Sequence, residues 1–170
     1  MINEAPENEP PRLDLKQPYI WFATWFGCGF MKPAPGTWGS LGALPFGIIL
    51  YGSAGFWGFT IGIILITLIG YWAAARFEKA SATHDNKMIV IDEVAGQWLA
   101  LLPALFFWSL NPLAIASAFL LFRLFDVTKP WPISYIDKQV SGALGVMGDD
   151  IFAGLAAALC IIGAYYAGFG

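Results

Sequence analysis

Seven carboxylates, Asp85, Asp92, Glu93, Asp126, Asp137, Asp149 and Asp150, crowd two polar windows of an otherwise hydrocarbon-like chain. Beside a low-dielectric medium such a set repels itself unless a cation holds it together. Hard oxygen ligands, with one histidine in the chain and no cysteine nearby, suit magnesium better than zinc. An ordinary alternative exists for each acid alone: a carboxylate near a helix N-terminus caps free N–H groups and offsets the dipole. Asp149 and Asp150, directly before the apolar run that begins at Ile151, fit that description as well. The combination favours a metal site, because Asp92-Glu93, Asp126 and Asp149-Asp150 each fall at the polar end of a different predicted helix.

Basic residues are interleaved with these acids. Arg123 and Asp126 are three apart and share a helix face, with Lys129 a further turn along. They make either an intrahelical salt bridge with Lys129 reaching for the interface, or a phosphate clamp, the planar guanidinium beside a point-charge ammonium. Metal ligands, Arg and Lys together suit a phosphorylated ligand. His84, the only histidine, stands in "THDNK" eight residues before Asp92. It is either an unremarkable surface histidine or, with Asp85, a group that donates a proton to a leaving alkoxide or positions a water. Gly36 and Thr37, in "KPAPGTWGS", read as a turn or as a helix start that presents N–H groups to an anion. Asp137 and Lys138 belong either to the site or to the surface.

The elements that must carry these residues are set by the solvent. Of 170 residues 58% are hydrophobic and 12% charged, and mean hydropathy is +0.63, against roughly 25% charged in soluble domains. A membrane protein of one domain is expected, all-α and polytopic. The net charge of −3 offers no basic stripe for nucleic acid. Cys28 and Cys160 have no metal or redox spacing and are expected as buried thiols. Residues 1–16, acidic and Pro-rich without a signal-peptide pattern, are expected to form a disordered tail, and 17–170 a single helical domain.

No charged residue occurs at 33–75, 94–122 or 151–170. The first stretch is broken at Gly52-Ser53-Ala54-Gly55 and the second at Asn111-Pro112, so each is predicted to fold back as a hairpin. The second is too short for two spans of about 20 residues. Its helices must therefore reach into the polar windows, at about 89–109 and 112–129, which puts Asp92, Glu93, Arg123 and Asp126 at helix ends. A last span is expected from Ile151 to about Phe169. Segment 18–31, "PYIWFATWFGCGFM", is too short to cross and rich in aromatics, as an interfacial or re-entrant helix would be. Two hairpins with their turns on one side return every polar window to the other. The outcome is a compact bundle of about five or six helices with its polar loops on one face, which the positive-inside rule assigns to the cytoplasm.

Four blocks, "PAPGTWGS", "HDNKMIVIDEVAGQWLALLP", "FRLFDVTKPWPISYID" and "GALGVMGDDIFAGL", resemble in order and spacing the conserved blocks of the phosphatidylglycerophosphatase A family, over residues 19–169. The resemblance implies a magnesium-dependent, multi-pass phosphatase of the bacterial inner membrane. Its substrate would be the lipid phosphatidylglycerophosphate, converted to phosphatidylglycerol. By position it places Gly36, Thr37, His84, Asp85, Asp92, Glu93, Arg123, Asp126, Lys129, Asp149 and Asp150 on the family's motif sites. Asp92, Glu93, Asp126, Asp149 and Asp150 are then expected to hold magnesium. Arg123, Lys129, Gly36, Thr37 and Lys32 would take the phosphate, and His84, Asp85, Arg123, Lys129 and Asp150 would make up the catalytic set. Either a metal-activated water or an aspartate attacks phosphorus, and the residues leave both routes open.

Other chemistries lack their residues. No C-x₅-R serves a cysteinyl-phosphate route, "FDVTK" lacks the second Asp of a D-x-D pattern, and one histidine cannot supply a histidine pair. The aspartate signature of CDP-alcohol phosphotransferases is missing. A cation channel would need carboxylates along a path, yet the far ends of the predicted spans hold none.

Overall fold

A computed structural model describes residues 14–82 and 86–169. Most of the expected tail, together with His84 and Asp85, lies outside the described residues. The described chain is all-helical: α1 (Pro18–Ala23), a 3₁₀ turn (Cys28–Phe30), α2 (Pro35–Ser81), α3 (Ile91–Trp108), α4 (Pro112–Thr128), α5 (Ile133–Gln139) and α6 (Ala143–Ala164), followed by a π-helical turn (Tyr165–Phe169). Six α-helices agree with the expected bundle. Pro35–Ser81 and Ala143–Phe169 are long and apolar enough to cross a membrane. Large apolar side chains on the outward faces, such as Ile49 and Leu159, each 69% exposed, are suited to hydrocarbon rather than water.

α2 is a helical hairpin. Gly55 sits at φ 65°, ψ −166°, a backbone state open mainly to glycine, and separates arms 35–54 and 56–81. Both arms lie on α3. A methyl group on Gly39 would touch Val90 and one on Gly70 would touch Ile91, while Gly47 and Gly62 both face Trp98. Phe56 at the bend meets Phe106 at the far end of α3, ring centroids 5.3 Å apart. Hence the first arm runs parallel to α3 and the second antiparallel.

α4 returns along α3 from a cap that its sequence supplies. Asn111 Oδ1 accepts from the N–H groups of Leu113 and Ala114 at 2.9 and 3.4 Å, and Pro112 at the first helical position has no N–H to lose. α6 runs parallel to α3, with Tyr165 stacked on Phe107 at 4.1 Å. The turns at 52–55 and 109–111 therefore share one end of the bundle with the C-terminal end of α6. The polar windows share the other, as the hairpin reading requires.

The contact between α3 and α6 is unusually close. A methyl added to Gly96 would stand 2.5 Å from the carbonyl oxygen of Asp150, and one added to Gly154 would stand 2.9 Å from Gly96 Cα. Small residues on facing helices let backbones approach in this way. Around that contact Leu101, Leu105, Phe59, Phe77 and Phe122 are fully buried.

Segment 18–31 does not cross. α1 is six residues long and packs on the polar end of the bundle, where the Val90 N–H donates to Ala23 O at 2.8 Å. Two expectations are corrected. α6 begins at Ala143 behind Gly142 at φ 72°, not at Ile151, so Asp149 and Asp150 lie two turns inside the helix and cap nothing. Cys28 is half-buried and Cys160 exposed, because Cys160 falls on the outward face of α6 rather than on the face that packs against α3.

Candidate metal and phosphate site

At the polar end, between the starts of α2 and α3, the end of α4 and the second turn of α6, lies a cavity of about 550 Å³. α3 contributes Asp92 and Glu93 from its first turn, α6 contributes Asp149 and Asp150, and α4 contributes Arg123 and Asp126 with Lys129 just beyond its end. Two of these placements follow from local backbone. Lys129 ends α4 in the left-handed region, φ 42°, which turns the chain over the cavity. Asp150 faces α3 because it stands one turn before Gly154 on the same face of α6, where the two backbones nearly touch.

Five carboxylates and three cations (Lys87, Arg123, Lys129) line the cavity, an excess of two formal negative charges that one divalent cation balances. The structure divides the five acids by partner. Asp126 is paired with Arg123, whose Nη1 also donates to Ser40 Oγ at 3.4 Å. Asp149 accepts from Lys129 Nζ at 2.6 Å, and the same ammonium is bonded to Asp137. Burial draws the Lys129 pKa down, but the hydrogen bonds to Asp137 and Asp149 outweigh it and hold the ammonium above the usual lysine range.

Asp92, Glu93 and Asp150 remain. Each offers an oxygen within 4.8 Å of the others. Asp92 and Asp150 are only 8% and 4% exposed, and Glu93 Oε2 is buried with no partner. Two oxygens bound to one magnesium at about 2.1 Å are at most about 4.2 Å apart. The three carboxylates are thus at that separation or within a few tenths of an ångström of it, and their all-oxygen chemistry suits a hard cation. Gly36 forms the opposite wall: a methyl there would stand 3.1 Å from Glu93 Cδ and 3.2 Å from Arg123 Nη1.

Of the residues expected from sequence, Gly36, Asp92, Glu93, Arg123, Asp126, Lys129, Asp149 and Asp150 line one cavity. Lys32 and Thr37 do not. Lys32 is exposed in the connection before α2, and Thr37, one residue on from Gly36, projects about 100° around the helix. Lys87 and Ser40 were not among the expected site residues. Ser40 could have been found one turn after Gly36, on the same face of α2. Asp137, left open by sequence, is tied to the site through Lys129 and also lines an adjoining cavity of about 260 Å³ with Glu78 and Asp149.

Comparison with known proteins bears on what this arrangement serves. The profile of the family described as Phosphatidylglycerophosphatase A matches residues 21–165. "Phosphatidylglycerophosphatase A" of Haemophilus influenzae is 37% identical over 164 residues, covering 94% of this chain and 97% of the relative. The protein of the same name from Escherichia coli is 36% identical over 151 residues, covering 86% and 83%. A "Putative phosphatidylinositol-3-phosphatase" of Bacteroides thetaiotaomicron is 35% identical over 144 residues, covering 80% and 86%. No solved structure matches the chain significantly.

Proposed function

The chain belongs to the phosphatidylglycerophosphatase A family, and from that premise we propose that it is a magnesium-dependent phosphatase that hydrolyses the terminal monoester of phosphatidylglycerophosphate at the cytoplasmic face of the inner membrane. The observation that carries this reading is the meeting of Asp92, Glu93 and Asp150 within 4.8 Å beside Arg123 and Lys129 in one cavity at the polar end of the bundle.

Asp92, Glu93 and Asp150 would hold the metal. Bound magnesium supplies positive charge against the phosphoryl oxygens and lowers the pKa of a coordinated water. Arg123 is already oriented by Asp126 and Ser40, so its fork meets a phosphate with little loss of side-chain freedom. Lys129, fixed between Asp137 and Asp149, adds a point charge from the α4 side. Asp126 and Asp149 act as orienting partners of these cations in this reading. The apolar flanks of α2 and α6 accept the acyl chains, so the lipid presents its head group to the cavity without leaving the bilayer. Among the described residues the Lys and Arg side chains share the polar end, and the positive-inside rule supports a cytoplasmic site.

The test is phosphate release by the detergent-purified protein, assayed on phosphatidylglycerophosphate, phosphatidic acid and phosphatidylinositol 3-phosphate. The expected result is magnesium-dependent release from phosphatidylglycerophosphate that stops with a chelator. Release that is indifferent to chelation would sink the metal assignment, and preference for either comparison lipid would sink the substrate assignment.

A further inference from the structure

Three buried polar atoms without a partner cluster in two successive turns of α3. They are Glu93 Oε2 and both polar atoms of the Gln97 carboxamide, Nε2 and Oε1. Among the described residues the one other such atom is Trp25 Nε1, remote from the cavity in the α1 segment. Gln97 is fully buried, and its helix neighbours Trp98, Leu101 and Ala100 are apolar. A buried donor or acceptor left unmet is destabilising, so a methionine or leucine would serve packing better at this position.

Direction and reach point to what the carboxamide is for. Helical side chains lean toward the N-terminus of their helix, which for α3 is the cavity end. Residues four apart stand on one face within hydrogen-bonding reach, and Gln97 follows Glu93 by four. Gly36 stands against Oε1 and Cδ of Glu93 on the α2 side, and Oε2 has no partner. A metal-binding carboxylate needs its second oxygen held if the first is to keep a fixed direction, and ligating carboxylates are in general hydrogen-bonded.

We propose that Gln97 is a positioning residue of the cation site: the two side chains make no hydrogen bond to each other in the structure, and when a cation takes one Glu93 oxygen the Gln97 carboxamide turns to donate its N–H to Oε2 and so fixes which oxygen faces the cation. Gln97 Oε1 is then left for an ordered water, the usual partner of a buried polar atom with no protein neighbour. The inference rests on the metal reading given above and adds a residue that touches neither phosphate nor metal.

The experiment uses Mn²⁺ alone as probe, titrated into the full-length protein in detergent without lipid substrate, with free Mn²⁺ read by electron paramagnetic resonance. Gln97→Met keeps length and burial but removes both polar atoms. The expected result is a loss of Mn²⁺ affinity of about 10–100-fold with an unfolding temperature in chelator equal to or above wild type, since the unmet polar atoms are gone. In turnover, half-saturating magnesium rises while KM for the lipid phosphate stays put. Gln97→Asn, one methylene too short to reach, gives the same loss and serves if the methionine variant does not fold. Wild-type Mn²⁺ affinity in the variants, or a loss of affinity matched by a fall in unfolding temperature, overturns the inference while leaving the metal reading intact. No binding by the wild type overturns both.

Discussion

Gly154→Ala adds one methyl group far from any phosphate, yet it reports on the site. The new Cβ would stand 2.9 Å from Gly96 Cα and closer still to the Gly96 carbonyl oxygen, where ordinary carbon contacts lie at about 3.5–4.0 Å. Neither partner is a flexible side chain, so α3 and α6 must part by roughly 0.6–1 Å to restore normal contact. Asp92 and Glu93 ride on α3 and Asp150 on α6. Their oxygens lie within 4.8 Å now, and the same displacement carries Asp150 away from Asp92 and Glu93 by a sizeable fraction of the about 2.1 Å at which magnesium holds its ligands. Overpacking of this kind costs about 1–3 kcal/mol in stability, and misplacement by about 1 Å can cost about 100-fold in rate. The assay is phosphate release from phosphatidylglycerophosphate against magnesium concentration, beside thermal unfolding in the same detergent. Half-saturating magnesium should rise by about 10–100-fold, as when the groups that orient metal ligands are disturbed. Gly163→Ala is the control, since a methyl there meets nothing within 4 Å, and it should match wild type. If Gly154→Ala keeps wild-type magnesium dependence, the close approach of the two helices is not what builds the cage.

Three further outcomes are expected. Gly36→Ala brings a methyl onto Glu93 Oε1 and within 3.2 Å of Arg123 Nη1; phosphate release should fall by about 10-fold or more as both side chains are pushed out of place, with the fold intact because the atoms met are the ends of flexible side chains. Arg123→Lys keeps the charge but loses the fork, and removing one charged hydrogen bond of about 1.5–3 kcal/mol should lower kcat/KM by about 10–100-fold; an unchanged kcat/KM would remove Arg123 from the phosphate. With Cys28 and Cys160 replaced by alanine, cysteines introduced at Ser53 and Asn111 should label only from the side opposite a cysteine at Lys87; labelling of all three from one side would break the two-hairpin topology.

Much of the bundle was legible because charge is so sparse. Three charge-free stretches, broken by Gly-rich and Asn-Pro turns, sufficed to place α3 and α4 within two residues and to bring the polar windows to one end. The start of α6 was not legible, because Ala143 to Gly148 carries no charge and several small residues, and hydropathy rises steadily only after Asp150. The helix begins early because Gly142 accepts a positive φ. The division of the five acids was also hidden. It depends on which carboxylates meet Arg123 and Lys129 across helices, and on the Gly96–Gly154 contact that swings Asp150 toward α3. Gln97 gave no signal in sequence, since a glutamine in a helix is ordinary until it is found fully buried with nothing to bond.

The central claim is that Asp92, Glu93 and Asp150 form a magnesium cage on which hydrolysis depends. The most direct measurement is magnesium-dependent phosphate release from phosphatidylglycerophosphate by Asp150→Asn, with unfolding in chelator confirming the fold. Asparagine keeps the shape and removes one charged ligand. The expected result is turnover reduced by about 100–1,000-fold, the size of effect seen when one source of transition-state charge stabilisation is removed, and an unfolding temperature at or above wild type because three crowded buried carboxylates become two. Near wild-type turnover with unaltered magnesium dependence would contradict it.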